Sequence, residues 1–265
     1  MKVYISADIE GVTGSTNWDE ANKTKSDYAK FAEQMTKEVK AACMGAIKAG
    51  ADEIWVKDAH GSGRNIDISQ LPKNVMIIRG WSGHPFSMVQ DLDETFDALM
   101  YIGYHSAGGT NSNPLSHTMT TDVRYVKING EYASEFTLHS YIAAMLNVPV
   151  VFLSGDKGLV DEVLKLNSNI KTVGVKTGVG GSTISMSPEL SLELIEKEVE
   201  NSLKGDLKSC KINLPDSFIL EICYKDHKDA YRYSFYPGVE QISQDTLKFK
   251  TDDYFELIRA THFIL

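Results

Sequence analysis

The sequence predicts an α/β fold, a mostly parallel sheet covered by helices, with a smaller α+β part at the C-terminus. Three observations carry this. Short apolar runs at 2–8 (KVYISAD), 53–58 (EIWVKD), 75–79 (VMIIR), 98–104 (ALMYIGY) and 149–153 (PVVFL) read as strands. Segments with helical spacing of apolar residues separate several of them. The runs are near-continuous rather than alternating, which is the pattern of strands covered on both faces.

The first long helix is expected over 26–49. Tyr28, Phe31, Met35, Val39, Ala42 and Ala46 share a face there, with Ser26 as N-cap and Gly50 as the stop. Residues 123–128 (VRYVKI) run into Asn129-Gly130, a two-residue hairpin signal. A helix from Ser134 to Leu146 follows, and another spans 156–166; Ser154-Gly155-Asp156 follows a strand and could join a pocket, but reads by preference as the N-cap of that helix. A strand is expected at 170–175, and the glycine-rich 178–182 fits no phosphate-loop pattern and reads as a turn. The helix at 188–203 begins behind Ser187-Pro188, a cap followed by a first-turn proline. Residues from about 210 are strand-rich and close with a helix at 252–262. The expected division is an α/β catalytic, metal-binding domain at 1–205 and a smaller α+β subdomain at 206–265.

A chain of 265 residues can bury a substantial core. The net charge of -9 argues against nucleic acid or an anionic membrane as partner. Cys43, Cys210 and Cys223 form no C-x-x-C pair and are odd in number, which fits a reducing compartment. The N-terminus reaches Asp8 without a signal-type apolar core, and no run of about 18 apolar residues occurs, so the expected location is cytoplasmic.

The chemistry gathers at strand ends. Asp8 and Glu10 lie two apart at the end of the first strand, where side chains at i and i+2 share a face. Asp58 and His60 repeat the arrangement at the next strand, and His105 ends a third. In a parallel sheet these carboxyl ends form the edge where open α/β sheets bind ligands. His60 or His105 alone reads equally well as a satisfied structural histidine, and the joint pattern points to metal. Glu135 opens a helix, where its position alone also fits a first-turn acid favoured by the helix dipole. If Asp8, Glu10 and Glu135 converge with neutral His60 and His105, three negative charges need a cation. Mixed histidine and carboxylate donors suit zinc better than calcium. One divalent ion leaves the set at about -1 and two leave it at about +1, with room for a hydroxide; for two, five ligands are few, so one carboxylate would bridge, with Asp8 the candidate, and a water between the ions would be the nucleophile. His117, in PLSHTMT, is the candidate general acid/base or oxyanion stabiliser, against the alternative of an idle loop histidine.

The segments SADIEG (6–11), KDAHG (57–61), IGYHS (102–106), LSHTM (115–119) and the helix opened by Glu135 resemble, in order and spacing, the zinc-dependent D-aminopeptidases associated with bacterial dipeptide transport. PFSMVQDLDETFDAL (85–99) and NVPVVFLSGD (147–156) share the resemblance, which runs over about the first 190 residues. It implies a two-zinc site with Asp8, Glu10, His60, His105 and Glu135 as ligands, Asp8 bridging, and His117 as the catalytic residue. It also implies a self-compartmentalising homodecamer acting on short peptides and amides with an N-terminal D-residue such as D-Ala. The stretch between His105 and His117 is this chain's own, and Ser134 stands where the family has glycine before the glutamate. Both departures bear on substrate preference.

The expected function is therefore a dinuclear zinc aminopeptidase. The alternative with the same metals is an amidase or other hydrolase of a different small metabolite, such as a phosphoesterase. That last option needs a basic group near the metals, for which Lys57 and Arg64 are the early candidates. A binding module without turnover is the third reading.

Overall fold

The computed structural model describes residues 1–265. The first half runs β1 (Lys2–Ala7), α1 (Trp18–Ala21), α2 (Tyr28–Lys48), β2 (Glu53–Asp58), β3 (Val75–Ile78), β4 (Ala98–Tyr104), β5 (Val123–Ile128) and β6 (Glu131–Tyr132). It continues with α3 (Glu135–Met145), β7 (Val150–Asp156), α4 (Lys157–Leu166), β8 (Lys171–Val179), β9 (Ser182–Ser185) and α5 (Pro188–Lys204). The last part holds β10 (Phe218–Tyr224), α6 (His227–Tyr233), β11 (Val239–Gln241), β12 (Thr246–Thr251) and α7 (Tyr254–Ile264).

The expected α/β class and the covered parallel sheet are both present. The first sheet has the order β3-β2-β1-β4-β7-β8-β9, parallel except for β9 at one edge. β4 and β7 are buried along their whole length, as near-continuous apolar strands in the middle of a parallel sheet should be. The chain lays β2 and β3 on one side of β1, then returns to place β4 on the other. β1 and β4 therefore flank the point where strand order reverses, and the crevice beyond their carboxyl ends is where such sheets bind ligands.

The second sheet is antiparallel, in the order β11-β12-β10-β5-β6. The Asn129-Gly130 hairpin joins β5 to β6, with both residues at positive φ (53° and 88°), as a type I′ turn requires. β10 pairs with β5, so residues beyond 206 complete a sheet that begins at Val123. α3 packs on β4 and on α7, and α7 packs on β10 and β12, which fastens the second sheet to the first.

Several boundaries differ from the sequence expectation. α2 begins after Asp27 rather than Ser26, and Asp27 makes no side-chain cap because its backbone is already helical. Ser134, Asp156 and Ser187 are extended and each accepts a hydrogen bond from a first-turn N–H, as expected of caps. The strand expected at 149–153 continues to Asp156, and that at 170–175 continues to Val179. The glycine-rich stretch is the turn of the β8–β9 hairpin, with Gly180 at φ 58°.

Gly103, inside β4, has φ 70°, and a Cβ there would lie 2.3 Å from the Asp8 carbonyl oxygen. This close approach lets the turn after β1 rest on the end of β4, where Asp8 N donates to Ile102 O (2.9 Å) and Gly11 N to Gly103 O (2.7 Å). Gly103→Ala combines a backbone clash with a left-handed alanine. It is expected to cost about 3 kcal/mol or more in urea unfolding, and an unchanged midpoint would contradict this reading of the turn.

Candidate metal centre

Asp8 and Glu10 do not sit on the strand as expected. β1 ends at Ala7, and both lie in the turn that follows. Convergence comes from that turn rather than from strand alternation. His60 stands just beyond β2, His105 just beyond β4, and Glu135 is the first residue of α3.

All five candidate ligands meet in one place. Asp8, Glu10, His105 and Glu135 are buried and His60 nearly so. His60 Nδ1 is 3.2 Å from Asp8 Oδ1 and 2.9 Å from Glu10 Oε2. His105 Nε2 is 3.4 Å from Asp8 Oδ2 and 3.3 Å from Glu135 Oε2. His117 joins them: Nε2 is 3.5 Å from Glu135 Oε1, and its ring stacks on His105 with centroids 4.3 Å apart. Asp8, Glu10, His60, Glu135 and His117 line one wall of a cavity of about 420 Å³ whose rim includes Trp18, Trp81, Met88 and Met119, and His105 is fully buried beside them.

The histidines share an arrangement. His105 Nδ1 lies 3.0 Å from Ser106 O, His117 Nδ1 lies 3.0 Å from Leu115 O, and His60 Nε2 lies 2.7 Å from Ala21 O. A carbonyl accepts, so each of these nitrogens carries the N–H. In the neutral ring the other nitrogen then faces the carboxylates with its lone pair. Such a pair repels unless a proton or a cation lies between. Asp8 Oδ2, Glu10 Oε2 and His105 Nε2 are buried without any hydrogen-bond partner. Buried polar atoms are normally satisfied, and three unsatisfied donor atoms aimed at each other fit a cation. Asp8, Glu10 and His105 form one group able to hold an ion, and His105, Glu135 and His117 form another.

Without an ion, protons do the neutralising. Burial and the neighbouring Glu10 push the Asp8 carboxyl well above the carboxylate range. Burial works against charge on His105, but Glu135, Asp8 and Glu10 outweigh it and raise the ring to about 10. The same contest, won by Glu10 and Asp8, raises His60. His117 goes the other way, held low by burial and by the neighbouring His105.

A layer of residues missed by the sequence reading fixes this wall. Asp156 was expected as a helix cap, in preference to a place in the pocket. Besides accepting from Leu159 N it accepts from Ser106 N (2.7 Å), Ser106 Oγ and Asn113 Nδ2 (3.0 Å). Asn113 Nδ2 also donates to Glu10 O (3.1 Å), and buried Lys176 Nζ donates to Glu10 O and Ser15 O, both at 2.5 Å. A lysine within the apolar strand VGVKTGV was the only visible signal for this layer. The stretch from 106 to 116 thus braces Glu10 through Asn113. Met119 at φ 64° turns its N–H onto Glu135 Oε1 (2.7 Å).

Asp58, which the strand-end pattern placed beside His60, instead accepts from Asn65 N, Asn65 Nδ2 and Ile66 N and shapes the turn after β2. Lys57 donates to Gly80 O and lies over Trp81, and neither it nor Arg64 lines the central cavity. The basic group a phosphoesterase would need is therefore not supplied by either. His139 is buried on α3, bonded to Glu135 O and Met88 N, a structural role as expected. No helix is long and apolar enough to cross a membrane.

An α/β sheet with clustered carboxylates and histidines at its switch point is a hydrolase architecture, and comparison with known proteins gives the family. A family profile described as D-aminopeptidase matches residues 1–263, and the chain belongs to that peptidase family. The match extends past the first 190 residues, where the resemblance in sequence was expected to stop. A D-aminopeptidase of Bacillus subtilis (strain 168) is 29% identical over 262 residues, 98% of this chain and 95% of that protein. The solved structure of the Zn-dependent D-aminopeptidase DppA from Bacillus subtilis, described as a self-compartmentalizing protease, superposes with a TM-score of 0.93 at 28% identity, covering 100% of this chain and 96% of that one.

Asp156→Ala would strand four donors, three of them around His105 and Glu10. A loss of about 3 kcal/mol or more is expected in chemical denaturation, and stability within error of the parent would show that this layer does not brace the site.

Proposed function

We infer that this chain is a dinuclear zinc aminopeptidase that removes an N-terminal residue from short peptides or amides, with D-residues such as D-Ala as substrates. The observation that carries the two-ion reading is the split of Asp8. Its Oδ1 faces His60 and its Oδ2 faces His105, so one carboxylate belongs to two donor sets. Asp8, Glu10 and His60 would hold one ion, and Asp8, His105 and Glu135 the other. Carbonyls bonded to His60 and His105 fix which nitrogen is offered, the usual support for metal-binding histidines. Family membership supports the reaction, and the solved relative's dependence on zinc supports the metal.

Bound zinc supplies a water activated near neutral pH and polarises the scissile carbonyl. The chain's own residues do the rest. His117 is oriented by its Nδ1–H bond to Leu115 O and by the stack on His105, which leaves Nε2 to hold a proton. Burial disfavours a charged ring at rest, and Nε2, with its lone pair free in the neutral ring, can take a proton from water and pass it to the leaving nitrogen. Trp18 packs edge-on against His117, with centroids 5.2 Å apart, and limits the ring's movement. The relative's self-compartmentalizing assembly supports a closed homo-oligomer here, a decamer by resemblance, working in the cytoplasm.

Chelation should abolish hydrolysis of D-Ala p-nitroanilide and added zinc should restore it. A zinc-loaded protein that cleaves no aminoacyl amide would sink the reading. His117→Ala is expected to keep its metal content and lose activity by roughly 100-fold or more. Loss of metal in that variant would make His117 a ligand instead.

A further inference from the structure

A second cavity of about 330 Å³ opens from the first. The two share Glu10, Trp18, His60 and Gly61, so the donor wall is common to both and Trp18 stands between them. No lysine or arginine lines the central cavity. The second is lined by Lys23, the one Lys or Arg on either wall. Lys23 is exposed, forms no ion pair with a carboxylate, and has only the Arg64 carbonyl, 3.3 Å from Nζ, as partner.

We propose that the cavity between Trp18 and Lys23 receives the leaving-group side of the peptide, with its free C-terminal carboxylate on Lys23. This rests on the aminopeptidase reading and adds to it a site for the substrate's C-terminus. Charge sets the direction of the chain. An N-terminal ammonium would be repelled by Lys23, whereas a carboxylate would find there the one basic side chain that lines these cavities. His117 borders Trp18, so a peptide passing from the donor wall toward Lys23 carries its leaving nitrogen past the residue that supplies the proton.

The test compares D-Ala-Gly, its C-terminal amide and D-Ala p-nitroanilide, using zinc-loaded protein. The parent should prefer the free acid to the amide by about 5-fold in kcat/KM, through KM rather than kcat. Lys23→Met should bring the acid-to-amide ratio to about 1, Lys23→Arg should retain the preference, and added salt should narrow it in the parent. Equal kcat/KM for acid and amide in the parent, or a ratio that Lys23→Met leaves unchanged, overturns the assignment while p-nitroanilide turnover keeps the aminopeptidase reading standing. If the parent cleaves none of the three, the aminopeptidase reading fails and the carboxylate site fails with it.

Discussion

Three carboxylates are buried within contact of two histidine rings at the carboxyl ends of β1, β2 and β4, and the molecule is arranged around keeping them together. Desolvating that many like charges costs several kcal/mol each unless something positive sits among them. With the rings neutral, hydrogen bonds cannot supply the compensation, because the histidine N–H groups point away to backbone carbonyls and three of the facing atoms have no partner. The cluster is thus held in a geometry that suits a cation better than it suits itself.

What holds it is backbone as much as side chain. The turn carrying Asp8 and Glu10 can lie against β4 only because Gly103 has no Cβ in its way. Its far side is pinned by Lys176 and Asn113 at the Glu10 carbonyl, and Asn113 and Ser106 are in turn pinned by Asp156. β7 and β8, which carry Asp156 and Lys176, hold no candidate ligand, yet they fix the position of two. A rigid first layer braced by a satisfied second one is what positioning a reacting group requires.

The sequence exposed this site to the extent that its chemistry is local. His60 and His105 follow strand ends, and Asp8 and Glu10 follow another, so the parallel sheet brings four of the five together without reference to any relative. Glu135 was not separable from an ordinary helix-opening acid, because its approach depends on α3 crossing the end of β4. The same local pattern put Asp58 beside His60, and there it misled: position near a strand end does not show whether a carboxylate turns to the crevice or caps its own loop. Asp156, Asn113 and Lys176 act through contacts distant in sequence, which periodicity does not report. The pairing of β10 with β5 was hidden for the same reason.

The central claim is that five side chains form a two-ion site with Asp8 shared. Calorimetric titration of zinc into metal-stripped protein measures it directly. The account predicts two equivalents per chain for the parent and fewer for Asp8→Asn, with a zinc-dependent rise in unfolding temperature that shrinks in step. A parent chain that binds no zinc, or an Asp8→Asn variant that binds it as the parent does, would contradict the account.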